Sequence, residues 1–350
     1  MGKLRFATVG TSMISDNFIE ALAGCDEATY RGTYSRDADR AARWTSGHGG
    51  DMPFASMGAV CASDQVDAVY IANPNALHLE TALGCIQAGK HVLVEKPLCS
   101  NAREAQFLFD AAREHGVVAM EAMRPLHDPA FLAVENALPR IGRIRRASLR
   151  FGKYSSRYDE VLAGRRTNIF DARMASGALM DIGVYTVEPM VWLFGEPGRV
   201  SAAAALVDPE HRATCNGAID IAGTALAAYD GMLVELSYSK VTVDMLPSQI
   251  EGELGTITID RISSPRSVEV RLRGEARRDS AKAVPQGDAV VEKLDVPACD
   301  NTMGYEIRDF AAAVAGELDP LPYERATLAS LRIMDEVRAQ TGVAFPADAR

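Results

Sequence analysis

Apolar residues in the first third of the chain alternate between short continuous runs and segments of helical spacing. Continuous runs, typical of buried strands, occur at residues 4–10, 29–35, 66–72, 91–94 and 117–120. After the first run, Ile14, Phe18 and Leu22 recur at helical spacing, and Gly24 marks the end of that helix. Further helices are predicted at residues 37–45, 76–88 and 101–115. Strands alternating with helices predict an α/β fold with a doubly wound parallel sheet over residues 1–123.

The pattern changes after residue 123. A strand is predicted at residues 145–151, followed by a polar loop through residue 168 and a helix at 176–194. From 199 to 275 strand follows strand, with Val234, Leu236 and Tyr238 alternating with polar residues, which predicts a largely antiparallel sheet. Residues 276–298 are weakly patterned and are predicted to be loop, and helices are predicted at 303–315 and 326–340. We therefore expect a second α/β domain over residues 124–325 and a C-terminal helix and tail over 326–350 that packs back near the first domain.

Composition and charge narrow the function classes. The chain has 350 residues, a net charge of −10 and a pI near 5.2, which argues against a nucleic-acid-binding surface. It has no run of about 18 apolar residues, so no membrane span is expected, and its N-terminus lacks the features of a signal peptide. The six cysteines form neither a CxxC pair nor a Cys/His cluster. We therefore expect no metal site and a reducing, cytoplasmic location.

The first strand-to-helix turn has the context of a dinucleotide-binding turn but a degraded motif. Such turns usually read GxGxxG, and here Ser12 and Ser15 replace the second and third glycines. A helix N-terminus still attracts a diphosphate through its free amides and dipole, and the Ser12 hydroxyl can donate to a phosphate oxygen. The turn is therefore either a dinucleotide site or an ordinary βα turn. Its candidate cofactor residues are Gly10, Thr11, Ser12, Met13 and Ile14.

The end of the second strand indicates which dinucleotide would bind. NAD-preferring sites place Asp or Glu there to hold the ribose hydroxyls. This chain instead has Ser35 and Arg36, with Arg40 one turn further. A guanidinium forms charge-assisted hydrogen bonds to phosphate, so the residues predict NADP over NAD, which remains the second possibility. The alternative is that these arginines are simply solvated.

An acid and a phenol lie four residues apart in the segment Ser176-Gly-Ala-Leu-Met-Asp-Ile-Gly-Val-Tyr185. On a helix, Asp181 and Tyr185 would share a face. For an isolated pair, a buried tyrosine with a structural hydrogen-bond partner is the simpler interpretation.

Five segments carry a resemblance to a known family. They are Glu95-Lys96-Pro97, the first turn, Ala72-Asn-Pro-Asn-Ala-Leu-His78, Met120-Glu-Ala-Met-Arg124 and Gly177-Ala-Leu-Met-Asp-Ile-Gly-Val-Tyr185. In order and spacing over the whole chain they resemble the glucose–fructose oxidoreductase/inositol dehydrogenase (Gfo/Idh/MocA) family. The resemblance implies an N-terminal Rossmann domain and a C-terminal α/β domain with an open-faced sheet. It also implies a nicotinamide cofactor and hydride transfer at a carbon bearing oxygen in sugars, cyclitols or diols.

The resemblance also implies roles for particular residues. Many members carry histidine where this chain has Tyr185, and the tyrosine form resembles the branch containing glucose–fructose oxidoreductase and dimeric dihydrodiol dehydrogenase, which typically uses NADP(H). Tyr185 is then the acid/base group and Lys96 its supporting cation, because an ammonium favours the phenolate. Asp181 either holds a substrate hydroxyl or orients the lysine.

Several cofactor contacts implied by the resemblance have open alternatives. The predicted contacts are Ala72, Asn73, Pro74, Asn75, His78, Glu95, Lys96 and Arg124. His78 either lines the nicotinamide–ribose pocket or packs at a helix N-terminus. Arg124 meets cofactor or substrate, or forms an ion pair at the domain junction. The polar loop 154–158 either contacts substrate or is solvated.

The sequence thus predicts an NADP(H)-dependent oxidoreductase that acts on a carbohydrate or diol, of unspecified identity and in either direction. Two alternatives remain: a non-catalytic dinucleotide-binding regulatory protein, and a lyase or hydrolase that uses the nicotinamide transiently. We also expect the face of the second sheet left open by the helices to be rich in Val, Ile, Leu and Tyr. Such an apolar face predicts a homodimer or homotetramer through that sheet.

Overall fold

The first sheet of the computed structural model, which describes residues 2–273 and 290–349, is a doubly wound parallel sheet. Its strands lie in the order β2-β1-β3-β4-β5, and every neighbouring pair is parallel. The strands are β1 (Leu4–Val9), β2 (Ala28–Tyr34), β3 (Ala68–Ile71), β4 (His91–Glu95) and β5 (Ala119–Ala122). This arrangement confirms the predicted fold class, and it brings the carboxyl ends of β1, β3 and β4 to one edge of the sheet.

Helices cover both faces of the first sheet, as the continuous apolar strands require. They are α1 (Met13–Ala23), α2 (Ala38–Gly47), α3 (Met57–Ala62), α4 (His78–Gln87) and α5 (Ala102–Glu114). One core joins α1 to the sheet around Phe6, Phe18 and Tyr70, and the Phe18 and Tyr70 rings stack 3.7 Å apart. The helix α3 was not predicted, since six residues are too few to show a helical period.

The second sheet is mixed rather than purely antiparallel, with the order β13-β12-β11-β10-β6-β9-β8-β7. Its strands are β6 (Ile144–Gly152), β7 (Arg199–Leu206), β8 (Asp220–Tyr229), β9 (Met232–Ser239), β10 (Ser248–Gly252), β11 (Gly255–Ile259), β12 (Val268–Leu272) and β13 (Val290–Lys293). β6 and β9 pair in parallel at the centre. Of the loop predicted at 276–298, residues 276–289 lie outside the described residues, and 290–293 form the edge strand β13.

The outer face of the second sheet differs from the expected apolar patch. Branched residues of the sheet such as Val234, Ile250 and Ile257 are fully buried on the helix-covered side. Strand alternation gives the opposite face mostly small, polar and charged residues. Leu226 and Leu233 are apolar exceptions on that face, 43% and 47% exposed. The expectation of a large patch was wrong because it did not separate the two faces of each strand.

Five α-helices follow β5 in the described part of the chain. They are α6 (Pro129–Ala137), α7 (Arg157–Leu162), α8 (Val184–Phe194), α9 (Met303–Val314) and α10 (Leu321–Thr341). The short helix α7 lies inside the region predicted as polar loop. Within the described residues, none of the helices combines the length and apolarity needed to cross a membrane.

The last helix, α10, packs against both halves of the chain. Leu328 and Leu331 join the core of the first sheet, whereas Ile333, Met334 and Val337 join the core of the second. The helix begins at Leu321, five residues before the predicted start at 326. The domain limits at 123 and 325 stay predictions.

The segment predicted as one helix over 176–194 begins instead with a π-helical turn, Leu179–Gly183, which continues into α8. Gly177 precedes it with φ +140°, and a Cβ there would lie 2.2 Å from Oδ1 of Asp220. Oδ2 of Asp220 accepts a hydrogen bond of 2.6 Å from the Leu179 amide. Asp220 therefore holds the start of the turn that carries Asp181, and glycine leaves room for its carboxyl.

Burial raises the pKa of Asp220 from 3.8 to about 6. The folded protein therefore binds this proton more tightly than the unfolded chain does. The resulting stabilisation is fully present below about pH 4 and is lost as the pH rises through 6. Between pH 4 and pH 7, we expect wild type to lose about 2 kcal/mol more unfolding free energy than Asp220→Asn. Urea unfolding of both proteins at both pH values measures the difference, and parallel pH profiles would contradict the prediction.

Candidate active site

The turn between β1 and α1 fits a bound diphosphate. Gly10 has φ +110°, and a Cβ there would lie 2.8 Å from the Ala72 carbonyl oxygen, so only glycine fits. Ser12 is the N-cap of α1 but makes no side-chain cap hydrogen bond, which leaves its hydroxyl and the first helical amides available to an anion. Met13 is 76% exposed beside the turn, whereas Ile14 packs against the core.

The residues predicted to bind a 2′-phosphate lie beside this turn. Arg40 donates a 2.8 Å hydrogen bond to the Thr11 carbonyl, which ties α2 to the phosphate turn. The Ser35 hydroxyl accepts a 3.4 Å hydrogen bond from the Asp37 amide. Arg36 is exposed, and among the described residues its guanidinium has no hydrogen-bond or ion-pair partner. Within the described part of the chain, the Arg36 guanidinium is therefore free to meet a phosphate.

The turn after β3 connects the two halves of the chain. Asn73 donates a 2.8 Å hydrogen bond to the Thr81 hydroxyl, and Asn75 donates one of 2.8 Å to the Ala175 carbonyl. Pro74 precedes the single 3₁₀ turn that leads into α4. The turn thus places Asn73 and Asn75 at the edge of the first sheet, against the segment that precedes the π-helical turn.

His78 corrects the expectation that its ring lines a cofactor pocket. The side chain is fully buried, with Nδ1 3.1 Å from the Pro97 carbonyl oxygen and Nε2 2.9 Å from that of Asn73. Burial lowers the pKa of His78, so the ring is neutral at pH 7. The position of His78 agrees with the alternative, packing at a helix N-terminus. Its ring joins the turn after β3 to the turn after β4.

Glu95 also turns away from the expected cofactor pocket. Its carboxylate is buried and accepts a 2.5 Å hydrogen bond from the Tyr70 hydroxyl, inside the first domain. Burial raises the pKa of Glu95, opposed by the charge of Lys96. The Glu95 carboxyl therefore makes a structural hydrogen bond, and contact of this residue with cofactor stays a prediction.

Two buried contacts fix the loop that carries Lys96. The Leu98 amide donates a 2.7 Å hydrogen bond to Oε1 of Glu121, and the Pro97 carbonyl faces His78. Lys96 follows β4 directly, so its side chain emerges at the carboxyl end of the sheet. Sequence motifs identified Lys96, but only the folded chain shows the contacts of Glu121 and His78 that fix its loop.

Lys96 and Asp181 meet across the domain junction. The Lys96 ammonium donates 2.8 Å hydrogen bonds to the backbone oxygen and to Oδ1 of Asp181. Burial is the largest single influence and disfavours the ammonium, but the neighbouring acidic groups, Asp181 foremost and Glu95 among them, together outweigh it and raise the pKa of Lys96. Burial likewise disfavours the carboxylate, but the two neighbouring lysines, Lys96 and Lys240, hold the pKa of Asp181 below its usual range. Both groups are therefore charged at neutral pH.

Tyr185 lies beside this pair, as the resemblance implied. The Lys96 Nζ atom is 4.9 Å from the centre of its ring, and Phe151 packs edge-on at 5.5 Å. Nη2 of Arg124 lies 3.4 Å from the phenol oxygen and donates to it. Arg124 forms no ion pair with another described residue, and its guanidinium lies against the phenol; its contact with cofactor or substrate stays a prediction.

Sequence reasoning missed Lys240, which follows β9. Its side chain is 3% exposed, and its ammonium contacts Oδ2 of Asp181 and lies 5.7 Å from the centre of the Phe170 ring. Burial lowers the pKa of Lys240, opposed by the Asp181 carboxylate. A lysine at the end of an apolar strand was the available signal, but the parallel pairing of β9 with β6 was needed to place it.

The loop at residues 154–158 stands at the rim of this cluster. The Tyr154 hydroxyl is exposed and donates a 2.5 Å hydrogen bond to Asp159. The Ser155 amide donates to the Lys240 carbonyl at 2.9 Å, which joins the loop to the end of β9. The loop is thus anchored next to the cluster, and substrate contact stays a prediction.

A doubly wound sheet with a tight phosphate turn, and a lysine, carboxylate and phenol at the junction with a second sheet, define the class of dinucleotide-binding oxidoreductases. Residues 4–123 match the model of an oxidoreductase family with an NAD-binding Rossmann fold, and residues 138–258 match the GFO/IDH/MocA C-terminal domain. The chain belongs to the GFO/IDH/MocA oxidoreductase family, which confirms the resemblance.

Individual relatives span the whole chain. It is 37% identical over 348 residues to scyllo-inositol 2-dehydrogenase (NADP(+)) of Bacillus subtilis, covering 99% of each protein. It is 26% identical to trans-1,2-dihydrobenzene-1,2-diol dehydrogenase of Mus musculus, again covering 99% of each. A 3-ketoreductase from Actinomadura kijaniata, solved with NADP and TDP-benzene, superposes with a TM-score of 0.80 at 26% identity, covering 97% of this chain and 98% of that one.

Proposed function

We propose that this protein is an NADP(H)-dependent oxidoreductase that transfers a hydride between the nicotinamide and a CH–OH or C=O carbon of a sugar, polyol or trans-diol. The observation that carries the proposal is the convergence of Lys96, Asp181 and Tyr185 from two domains at the edge of the dinucleotide-binding sheet. The relatives named above support the substrate class, since they are an inositol dehydrogenase, a diol dehydrogenase and a 3-ketoreductase.

The proposal assigns predicted cofactor residues to three parts of the dinucleotide: the diphosphate, the 2′-phosphate and the nicotinamide. The turn over Gly10–Ile14 binds the diphosphate, Ser35 and Arg36 bind the 2′-phosphate, and Arg40 braces the turn. The segment 72–75 and Arg124 stand at the nicotinamide end. When bound, the nicotinamide supplies or accepts the hydride. The protein's own residues supply the proton transfer.

Proton transfer is assigned to Tyr185. In the reduction direction its Oη gives a proton to the developing alkoxide oxygen of the substrate, and in oxidation the phenolate takes that proton back. Lys96 stabilises the phenolate through its charge, and Arg124 donates a hydrogen bond to the same oxygen. Because Arg124 donates to the phenol oxygen, the phenol proton is directed elsewhere, toward a substrate.

Asp181 was expected either to hold a substrate hydroxyl or to orient the lysine. Its Oδ1 accepts from Lys96 and its Oδ2 contacts Lys240. These contacts favour orientation of the lysine as the main role. Asp181→Asn should therefore lower kcat more clearly than it raises KM.

A cofactor-resolved substrate screen tests the proposal directly. Inositols, aldoses and trans-diols are offered with NADP⁺ or NAD⁺, and the corresponding ketones with NADPH. Net oxidation with stoichiometric NADPH formation is the expected result. Cofactor binding without turnover of any compound would instead favour the regulatory protein, and product formation without NADPH release would favour the lyase or hydrolase.

Arg36→Ala should weaken NADP⁺ binding by about 10–100-fold, because a charge-assisted hydrogen bond to phosphate contributes roughly 1.5–3 kcal/mol. NAD⁺ binding should change little, since NAD⁺ lacks the 2′-phosphate. Calorimetric titration of both dinucleotides measures the effect. Arg43→Ala removes another exposed arginine from α2 and serves as the control. Tighter binding of NAD⁺ than NADP⁺ by wild type would overturn the NADP preference.

Tyr185→Phe should lower kcat by about 10²–10⁴-fold, the usual contribution of general acid–base catalysis, and leave NADPH binding nearly unchanged. Lys96→Met should cost a similar factor. The double variant should cost little more, because groups that act as a unit are not additive. Steady-state kinetics with deuterated substrate establish that hydride transfer limits the rate. An unchanged kcat for Tyr185→Phe under those conditions would return Tyr185 to a structural role.

We also propose a cytoplasmic location, because the six cysteines are scattered singly along the sequence.

We further propose that the protein forms a homodimer or homotetramer through the outer face of the second sheet. Leu226 and Leu233 lie on that face among small and polar residues that permit close approach of a second copy. Light scattering at micromolar concentration should show an oligomer that the double variant Leu226→Glu, Leu233→Glu dissociates. Leu162→Glu, on α7 and similarly exposed, is the control, and a monomeric wild type would refute the proposal.

A further inference from the structure

The carboxylate of Asp181 is shared by two ammonium groups. Oδ1 accepts from Lys96 at 2.8 Å, and Oδ2 contacts Lys240, which approaches from the end of β9. Both lysine side chains are buried, with exposed fractions of 10% and 3%, whereas 26% of the Asp181 side chain is exposed. Asp181 is therefore the part of the cluster that faces the open site, and Lys240 stands behind it.

The number of charges matters for the proton-transfer step. Lys96 and Asp181 alone form a neutral pair, whose positive and negative ends largely cancel at a nearby phenol. Lys240, when protonated, adds a second ammonium, and the three groups then carry a net charge of +1. In a buried site an excess charge a few ångströms away acts strongly, because screening by solvent is weak.

We propose that Lys240 is a positioning residue of the proton-transfer site, which acts through Asp181. It holds Oδ2, so that Oδ1 remains aligned with Lys96, and it gives the cluster the net positive charge that stabilises the phenolate of Tyr185. The inference rests on the proposed function, in which Tyr185 is the acid/base group. It assigns Lys240 no contact with substrate or cofactor.

The other charges around Lys240 are consistent with this role. Lys153, on the neighbouring loop after β6, adds a further positive charge, and its amide bonds the Ser239 carbonyl at 2.9 Å. The Phe170 ring face packs over the ammonium, which lets the charge persist under burial. Asp181 is the acidic group that faces Lys240 within the described part of the chain.

The phenol itself faces Lys96 and Arg124, and two carboxyls, Glu95 and Glu306, stand behind Arg124. Burial raises the pKa of both carboxyls. Lys240 contributes one further positive charge to this set of groups.

The test follows the ionisation of Tyr185 itself and needs no substrate. The near-ultraviolet absorbance of tyrosinate is measured against pH in the full chain, with and without NADP⁺. The same titration of Tyr185→Phe is subtracted, which removes the signal of the other nine among ten tyrosines. The procedure is repeated for Lys240→Met, Lys240→Gln and Lys240→Arg. In each case the titration of the double variant that also carries Tyr185→Phe is subtracted.

Each variant separates one part of the proposal. Lys240→Gln keeps a hydrogen-bond donor for Oδ2 without the charge, and Lys240→Arg keeps both. Lys90→Met is the control, because Lys90 is a half-buried lysine of the first domain that donates to the Ser63 and Val66 carbonyls at 2.6 and 2.8 Å, away from the phenol. Thermal unfolding confirms that each variant is folded.

The midpoint of the Tyr185 ionisation should rise by about one pH unit in Lys240→Met and Lys240→Gln, since loss of a nearby cation destabilises the phenolate. It should stay near the wild-type value in Lys240→Arg and Lys90→Met. If Lys240→Met does not fold, the ionisation midpoints of Lys240→Gln and Lys240→Arg test the proposal instead. A midpoint unchanged in folded Lys240→Gln, or displaced equally in Lys240→Arg, would overturn the proposal. Failure of the proposed function would instead appear as an unchanged kcat in Tyr185→Phe.

Discussion

The ion pair between Lys96 and Asp181 is the contact on which the functional geometry depends. It joins the end of β4 in the first sheet to the π-helical turn before α8, across 85 positions of sequence. Each partner of the ion pair is fixed by contacts within its own domain. Glu121 and His78 fix the loop of Lys96, and Asp220 holds the turn of Asp181. Tyr185 is brought to Lys96 only when both supports are in place.

Buried carboxyl groups form a second joint between the same parts of the chain. The Thr327 hydroxyl of α10 lies 2.8 Å from Glu121 of β5 and 3.2 Å from Glu188 of α8. Burial raises the pKa of Glu121, and burial together with the Glu121 carboxyl raises that of Glu188. A proton held by this pair removes the repulsion that two buried carboxylates would suffer. The last helix thereby couples the loop of Lys96 to the helix of Tyr185.

The space available for a side chain at each position explains why the phosphate-binding motif keeps one glycine and loses two. At Gly10 a side chain would meet the Ala72 carbonyl at 2.8 Å, and glycine is retained. At Ser12 and Ser15 small side chains suffice, with their hydroxyls 3.4 Å apart. The motif therefore keeps glycine where backbone approaches backbone and loses it where only small volume is required.

Local patterns in the sequence predicted the first domain, because continuous apolar runs and helical spacing lie within a few consecutive residues. The order and spacing of five segments along the chain, among them those of Lys96 and Tyr185, indicated the family and its candidate catalytic groups. Only the tertiary structure decided the parallel pairing of β6 with β9 and the inward turn of His78 and Glu95. It alone also decided the place of Lys240 beside Asp181. These features depend on which distant segments pair. Residue periodicity separates the two faces of a strand, but it does not show which segments pair, since it records the spacing of apolar side chains and not their partners.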